Sequence, residues 1–366
     1  MSEVYVYVHS PVPPFEVVSG AILSAGVQRR HGLSAPSAVS FSVASVDVDI
    51  SWLSPGACWS VRQPEFDGAG FWAGFLLEPT IPKGAGTIPI SLAGPKEALL
   101  AVEFTSPPLG QSSRANAVRQ ALEAAQAQGS PMLLGLSDDS GAPLRLEARA
   151  DTVSGFIDAT MDAASGIDWL ERSVERELGG GVDFYLDVGK LRSPTDIVLG
   201  DHEIIEGVYI RKRGIGRLSA FGGGVTMSAR ARASVPGDAR TSSPRAGVSP
   251  ATGAQTTLLG LRTVGPASTR DVVEVRERVD DNLRAYAEER FAWLLQGVEE
   301  ITCSLDMDSA AVQRVALGQV VRISSADWQG QRLEADVHVR RMQFDERSGK
   351  KDIVGRLLLP TVEAPT

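Results

Sequence analysis

The segment Leu53-Ser54-Pro55-Gly56-Ala57-Cys58-Trp59-Ser60-Val61-Arg62 reads as a Ser-Pro-Gly turn feeding a strand, with Phe71 to Pro79 as the strand that follows. Glycine supplies the left-handed backbone of a tight reversal, and aromatic and β-branched residues suit a pleated, half-buried surface. Near the other end, Leu317-Gly318-Gln319-Val320-Val321-Arg322-Ile323 does the same, followed by the long strand Leu333 to Phe344. Any two antiparallel hairpins share this much, so coincidence and an internal repeat both account for it. If it is a repeat, two related barrels flank whatever lies between.

Outward from the first copy, apolar residues alternate. Val4, Val6 and Val8, then Val39, Phe41 and Val43, then Val46, Val48 and Ile50 recur at period two, the mark of half-buried strands. Turn signals at Asp67-Gly68 and Pro82-Lys83-Gly84 separate further strands at Trp59 to Arg62, Phe71 to Leu77 and Thr87 to Leu92. Residues 1–104 are expected to form an antiparallel sheet or barrel. The period then becomes helical. Ala117, Val118, Ala121, Leu122 and Ala125 form one stripe between a Ser112-Ser113 cap and a Gly129-Ser130-Pro131 stop. Thr152 to Ala164 is a second, short helix, and residues 105–190 read as a mixed α/β module.

Strands resume at Phe184 to Val188, Ile197 to Leu199, Ile204 to Ile210 and Arg217 to Phe221. Residues 229–257 hold almost no large apolar side chain and read as a flexible loop bearing Arg230, Arg232, Arg240 and Arg245. Ser268-Thr269-Arg270-Asp271 matches a capping box and opens the longest predicted helix, 270–296, whose stripe includes Val272, Val275, Val279 and Leu283. Strands return at Ile301 to Leu305, Val320 to Ile323, Leu333 to Phe344 and Lys351 to Leu359, making 191–366 a second barrel. The expected class is α+β and β-rich: two antiparallel β-barrel domains with a small α/β module inserted.

At 366 residues the chain is long enough for two or three domains. A net charge of -9 argues against an indiscriminate cationic nucleic-acid binder. No stretch has the run of apolar residues that a membrane helix needs, and Met1 to Ser10 lacks the pattern of a secretory signal. Cys58 and Cys303 are far apart without a CxxC or a nearby His pair, so each reads as a buried thiol and no zinc is expected.

Candidate chemistry is sparse. His9, His31, His202 and His338 match no metal spacing, and Asp201-His202-Glu203 fits a turn into the next strand as well as an acid/base group. Asp306-Met307-Asp308 lacks the Gly and distal Glu of a calcium loop. Asp138-Asp139 and Asp280-Asp281 fit a turn and a polar helix face, while Gly179-Gly180-Gly181 and Gly222-Gly223-Gly224 lack the Gly-Lys-Ser of a phosphate loop. The one basic run is Arg211-Lys212-Arg213. With Arg230, Arg232, Arg240 and Arg245 it is the candidate partner contact; no catalytic, metal or cofactor residue is assigned.

The order of parts resembles the phage tail baseplate hub proteins, trimeric caps that close the distal end of a tail tube. Leu53 to Arg62, Phe71 to Pro79 and Leu99 to Phe104 resemble the family's first tube-like domain, and Asp151 to Gly166 the helix of its insert. Ile197-Val198-Leu199-Gly200 and Ile204-Ile205-Glu206-Gly207 resemble the strands that rejoin the second half. Phe221-Gly222-Gly223-Gly224, the long loop, Asp271 to Leu294 and Leu317 to Ile323 resemble the second tube-like domain. Nearly the whole chain is covered, each motif is soft, and the specificity lies in the order.

The resemblance implies a structural virion protein of the distal tail tip: a homotrimer whose six tube-like domains adapt to a six-fold tube. Its partners would be the distal tail protein or last tube ring above and a tip or fibre protein below. The tape-measure protein and DNA would pass through the lumen during ejection. An acidic wall would suit that passage, and the Arg-bearing loop would meet an acidic neighbour or the tape-measure protein. The chain ends shortly after its last strand, without the long extension of many such hubs, so short-hub and gene-transfer-agent tails fit equally. Alternatives are a distal tail or tube protein in a six-fold ring and a cell-wall hydrolase of the tail tip.

Overall fold

In β1 (Val4–His9) the alternation turns Val4, Val6 and Val8 inward, where they are buried, and leaves Tyr5 and Tyr7 half-exposed. The remaining strands of the first unit are β2 (Ile22–Gly32), β3 (Ala35–Ala44), β4 (Ala57–Arg62), β5 (Phe71–Leu76) and β6 (Thr87–Ala93). They run β1-β4-β5-β6-β3-β2, and β2 pairs back onto β1, closing a six-stranded antiparallel barrel around Phe41, Trp59, Trp72 and Ile90. This computed structural model describes residues 4–62, 71–78, 84, 86–104, 113–137, 152–161, 167–176, 180–212, 217–221, 230–233, 248–251, 254–257, 261–264, 270–274, 299–326 and 332–358.

The middle of the chain contributes α1 (Pro95–Leu99), α2 (Arg114–Ala127), β7 (Leu133–Ser137), α3 (Val153–Thr160), β8 (Asp168–Glu175) and β9 (Val182–Gly189). Ser113 Oγ accepts the Asn116 amide and Thr152 Oγ1 accepts the Gly155 amide, so both predicted caps hold their helix starts. The α2 stripe Ala117, Val118, Ala121, Leu122 and Ala125 is fully buried with α3 in one core beside the sheet β7-β9-β8. That sheet has one parallel and one antiparallel pair.

The second unit begins with β10 (Ser193–Leu199) and β11 (Ile204–Lys212). Short strands β12 (Arg217–Phe221), β13 (Arg230–Ala233), β14 (Val248–Ala251), β15 (Ala254–Thr257), β16 (Leu261–Val264) and β17 (Arg270–Glu274) interrupt it. It resumes with β18 (Glu299–Asp306), α4 (Ala310–Gln313), β19 (Gln319–Ala326), β20 (Arg332–Asp345) and β21 (Lys350–Leu358). The neighbour order is β10-β19-β20-β21-β18-β11. Numbered one to six along the chain, the strands of both units stand in the same order, 1-4-5-6-3-2. In the second unit, the turn of residues 200–203 joins strands one and two, and β10 pairs β19 in parallel where β1 pairs β4 antiparallel.

Finer correspondences make this a repeat. Gly56 and Gly318 both have positive φ, and their amides donate to Leu76 O and Val339 O respectively. Ser45 and Met307 open the corresponding connections, donating to the carbonyls of Gly86 and Gly349. Both pairs stand 262 residues apart (318 − 56 and 307 − 45). At the same offset the buried Val39, Phe41, Val43, Trp59 and Val61 become the buried Ile301, Cys303, Leu305, Val321 and Ile323.

Three expectations need correction. Val46, Val48 and Ile50 do not form a strand: single 3-10 turns at Ser45–Asp47 and Ile50–Trp52 replace it, and the Asp49 carboxylate accepts the Ser51 amide to cap the second. Asx chemistry at Asp49 outweighs the alternation. Residues 270–274 are strand β17, paired in parallel with β12, where a helix was expected; the adjacent Val272 and Val273 favour the extended backbone, and the rest of 270–296 lies outside the described residues. Within 229–257, residues 230–233, 248–251 and 254–257 are paired strands, because a ladder of backbone hydrogen bonds needs no large apolar side chain. The remainder of that expected loop also lies outside the described residues.

Candidate functional site

The closed first barrel and the second six-stranded unit, called the second barrel although no described pairing closes β10 onto β11, join through their longest strands. In β2, Ile22 to Ser24 pair with β1 and close the first barrel, while Gln28 to Gly32 pair with Asp345 to Arg341 of β20. In β20, Arg332 to His338 pair with β19 before the strand crosses to β2. Strand two of one barrel thus meets strand five of the next.

Strand β8 clamps this junction. Asp168 accepts from Ser34 Oγ at 2.8 Å and from Arg340 Nη1 at 3.0 Å, touching both barrels. Ser37 Oγ donates to Glu171 Oε2 at 2.9 Å, and Ser173 Oγ accepts the Ala73 amide at 2.9 Å. Burial drives the Glu171 carboxyl up to about 7, against the Ser37 hydrogen bonds and the Lys96 charge. Lys96 is itself buried, donating to Ser154 Oγ and Asp158 Oδ2 with its ammonium 4.8 Å from the Trp169 ring centroid.

A cavity of about 210 Å³ lies where the barrels and β8 meet, lined by Arg29, His31, Trp72, Glu171, Val315 and Lys351 among others. Desolvation lowers Arg29 to about 10; desolvation and Arg29 lower Lys351 to about 8 and hold His31 well below its ordinary value. Lys351 Nζ donates to the carbonyls of Val312 and Val315, tying β21 to the connection between β18 and β19. These groups fasten parts of the fold together. His9 likewise bridges Phe15 O and Ser60 Oγ at 2.7 Å each. Cys58 and Cys303 are buried and free; burial raises both thiols, Cys303 to about 12 with Asp352 adding to the rise. No group of His, Cys, Asp or Glu among the described residues could hold a metal ion.

Arg211 and Lys212 end β11, opposite Glu300 and Glu299 of β18. Arg230 and Arg232 lie in β13, opposite Leu261 and Thr263. Arg213, Arg240 and Arg245 lie outside the described residues, as do Asp138-Asp139, Asp280-Asp281 and Gly222-Gly223-Gly224. The structure therefore places the four described basic candidates on two separate strands. In Asp201-His202-Glu203, Asp201 accepts from Ser325 Oγ and Glu203 from the Gly200 amide, so the carboxylates stabilise a turn while His202 is exposed. Trp59 and Trp72 are core and Trp52 packs against it.

The junction charges Lys96, Asp168, Glu171 and Arg340 were missed by the sequence reading. Their one local signal is Asp168 and Glu171 in β8, polar residues in a strand that also buries Trp169. Exposed apolar side chains mark several further places: Val12, Val18 and Leu23 near the start of the chain, Val46, Ile50 and Leu77 on the first barrel, Leu133 and Leu136 on β7, and Val198, Ile205 and Tyr209 on β10 and β11. No described strand pairs the outer edge of β11.

No protein-family model and no curated protein matches the sequence. Solved structures do match. The 43 kDa tail protein of prophage MuSo2 from Shewanella oneidensis superposes with a TM-score of 0.54 at 13% identity, covering 97% of this chain and 98% of that one. The tail protein from Neisseria meningitidis MC58 gives 0.53 at 14% identity over 97% and 96%. Prophage tail protein gp18 from Listeria monocytogenes EGD-e gives 0.50 at 9% over 97% and 94%. Over nearly its whole length, this chain has the β-rich, barrel-containing fold of phage tail proteins.

Proposed function

We propose that the protein is a non-enzymatic baseplate hub of a phage-like tail, a homotrimer at the distal end of the tail tube. The observation that carries this is the repeat: one chain holds two six-stranded units of identical strand order, so three chains supply six such units to a six-fold tube. The fold shared with prophage tail proteins supports the setting. In this reading 1–104 and 191–366 are the tube-like domains and 105–190 the insert that clamps them. The distal tail protein or last tube ring lies above, and a tip or fibre protein below. DNA and the tape-measure protein pass through a lumen whose acidic lining gives no hold to DNA. Arg211, Lys212, Arg213, Arg230, Arg232, Arg240 and Arg245 contact neighbouring chains.

Localisation in purified particles tests the proposal. A tagged chain labelled with gold should decorate only the distal tip; label along the tube, or none on particles, overturns it.

A further inference from the structure

The junction inside the chain is a template for one between chains. Resting on the trimeric reading above, we propose that the β11 edge and the connection between β3 and β4 are the two halves of an interface between copies, strand two of each second barrel meeting the first barrel of its neighbour.

The repeat fixes which residues correspond. β3 and β18 are equivalent at the 262-residue offset, and both pair with strand two of their own barrel. Gln28 lies opposite Ser40 and Tyr209 opposite Thr302; Arg29 lies opposite Val39 and Ile210 opposite Ile301. Tyr209 to Lys212 therefore correspond to Gln28 to His31, the residues of β2 that reach across to the other barrel. In β2 that edge is occupied, whereas no described strand occupies it in β11.

The other half corresponds equally well. Within the chain, Met307, Gln313, Val315, Ala316 and Leu317 of the connection between β18 and β19 line the cavity that Arg29 and His31 also line. Their equivalents at the same offset are Ser45, Ser51, Leu53, Ser54 and Pro55 on the first barrel. Among the described residues that connection faces no second barrel in the single chain. Val312 is completely buried, but its equivalent Ile50 is 69% exposed and Val46 is 90% exposed. Ile205 and Tyr209 are exposed apolar side chains among the described ones of β11, Tyr209 at 65%. Apolar groups are thus exposed on both surfaces that the template brings together. The contact is head-to-tail, and such a contact gives a ring where the rotation between copies closes and an open filament where it does not.

Cysteine cross-linking tests it, since the native Cys58 and Cys303 are buried and protonated. Ser51 and Lys212 correspond to Gln313 and His31, which line one cavity. The full-length Ser51→Cys/Lys212→Cys variant treated with a short bismaleimide should give covalent dimers and trimers on a denaturing gel, and neither single variant should. Ile50→Asp should lower the native mass to that of a monomer with an unchanged circular dichroism spectrum. A trimeric native mass without the ladder, or an intact Ile50→Asp trimer, overturns this interface and leaves the hub reading standing. A monomer under all conditions overturns both.

Discussion

Replacing Glu171 by Gln should remove a pH-dependent loss of stability. Glu171 is 3% exposed where β8 meets the first barrel, and burial raises its carboxyl from 4.5 to about 7. Between those values the folded chain keeps a proton that the unfolded chain has released, so stability falls as pH rises through the window and levels off above it. At roughly 1.4 kcal/mol per pKa unit the loss is about 3 kcal/mol. Glutamine keeps an oxygen for Ser37 Oγ and cannot ionise. Urea unfolding should find the variant about 3 kcal/mol more stable than the parent near about pH 8, and similar to it near about pH 4.5. Other titrating groups are common to both proteins and cancel in the difference. A difference that does not change with pH would show that Glu171 ionises in the fold as it does in water.

Trp59→Ala removes a fully buried side chain from the first barrel and should cost about 3–5 kcal/mol in urea unfolding; a cost below about 1 kcal/mol would mean the barrel interior is loosely packed. Gly56→Ala and Gly318→Ala both strain a left-handed backbone, at about 1–2 kcal/mol, but a Cβ on Gly318 would also stand 2.8 Å from Leu191 O while one on Gly56 meets nothing within 4 Å. Gly318→Ala should therefore lower the melting temperature more, and equal losses would contradict the close approach of Leu191 to Gly318. Arg340→Ala strips the buried Asp168 of its guanidinium and should cost about 3 kcal/mol, measured the same way; a neutral result would mean that Asp168 does not tie β8 to the second barrel.

Much of the architecture was legible because the core alternates. Val4, Val6 and Val8, the α2 stripe and the strands around Trp59 and Val321 show their burial directly as period, and the Gly56 and Gly318 turns gave the repeat its first hint. β2 was not legible: its buried residues are Ile22, Ser24, Val27 and Gly32, a broken alternation in a strand that bulges twice and pairs with β1, β3 and β20 of one continuous sheet. β8 was hidden for another reason, since its inward positions include Asp168 and Glu171, and only tertiary partners make carboxylates tolerable there. Val46 and Ile50 misled because exposed apolar residues on two 3-10 turns mimic the period of a strand. The basic candidates were visible as charge, but whether Arg211 and Lys212 matter depends on which edge of β11 is open, and that is set by pairings far away in sequence.

In the proposed hub, one chain supplies two equivalent units to a ring. Native mass spectrometry of the purified protein, with class averages of the same sample, tests it most directly. Three chains of 38.8 kDa arranged as six similar lobes with three-fold symmetry are expected. Six chains in one ring, or a monomer at every concentration, would contradict it.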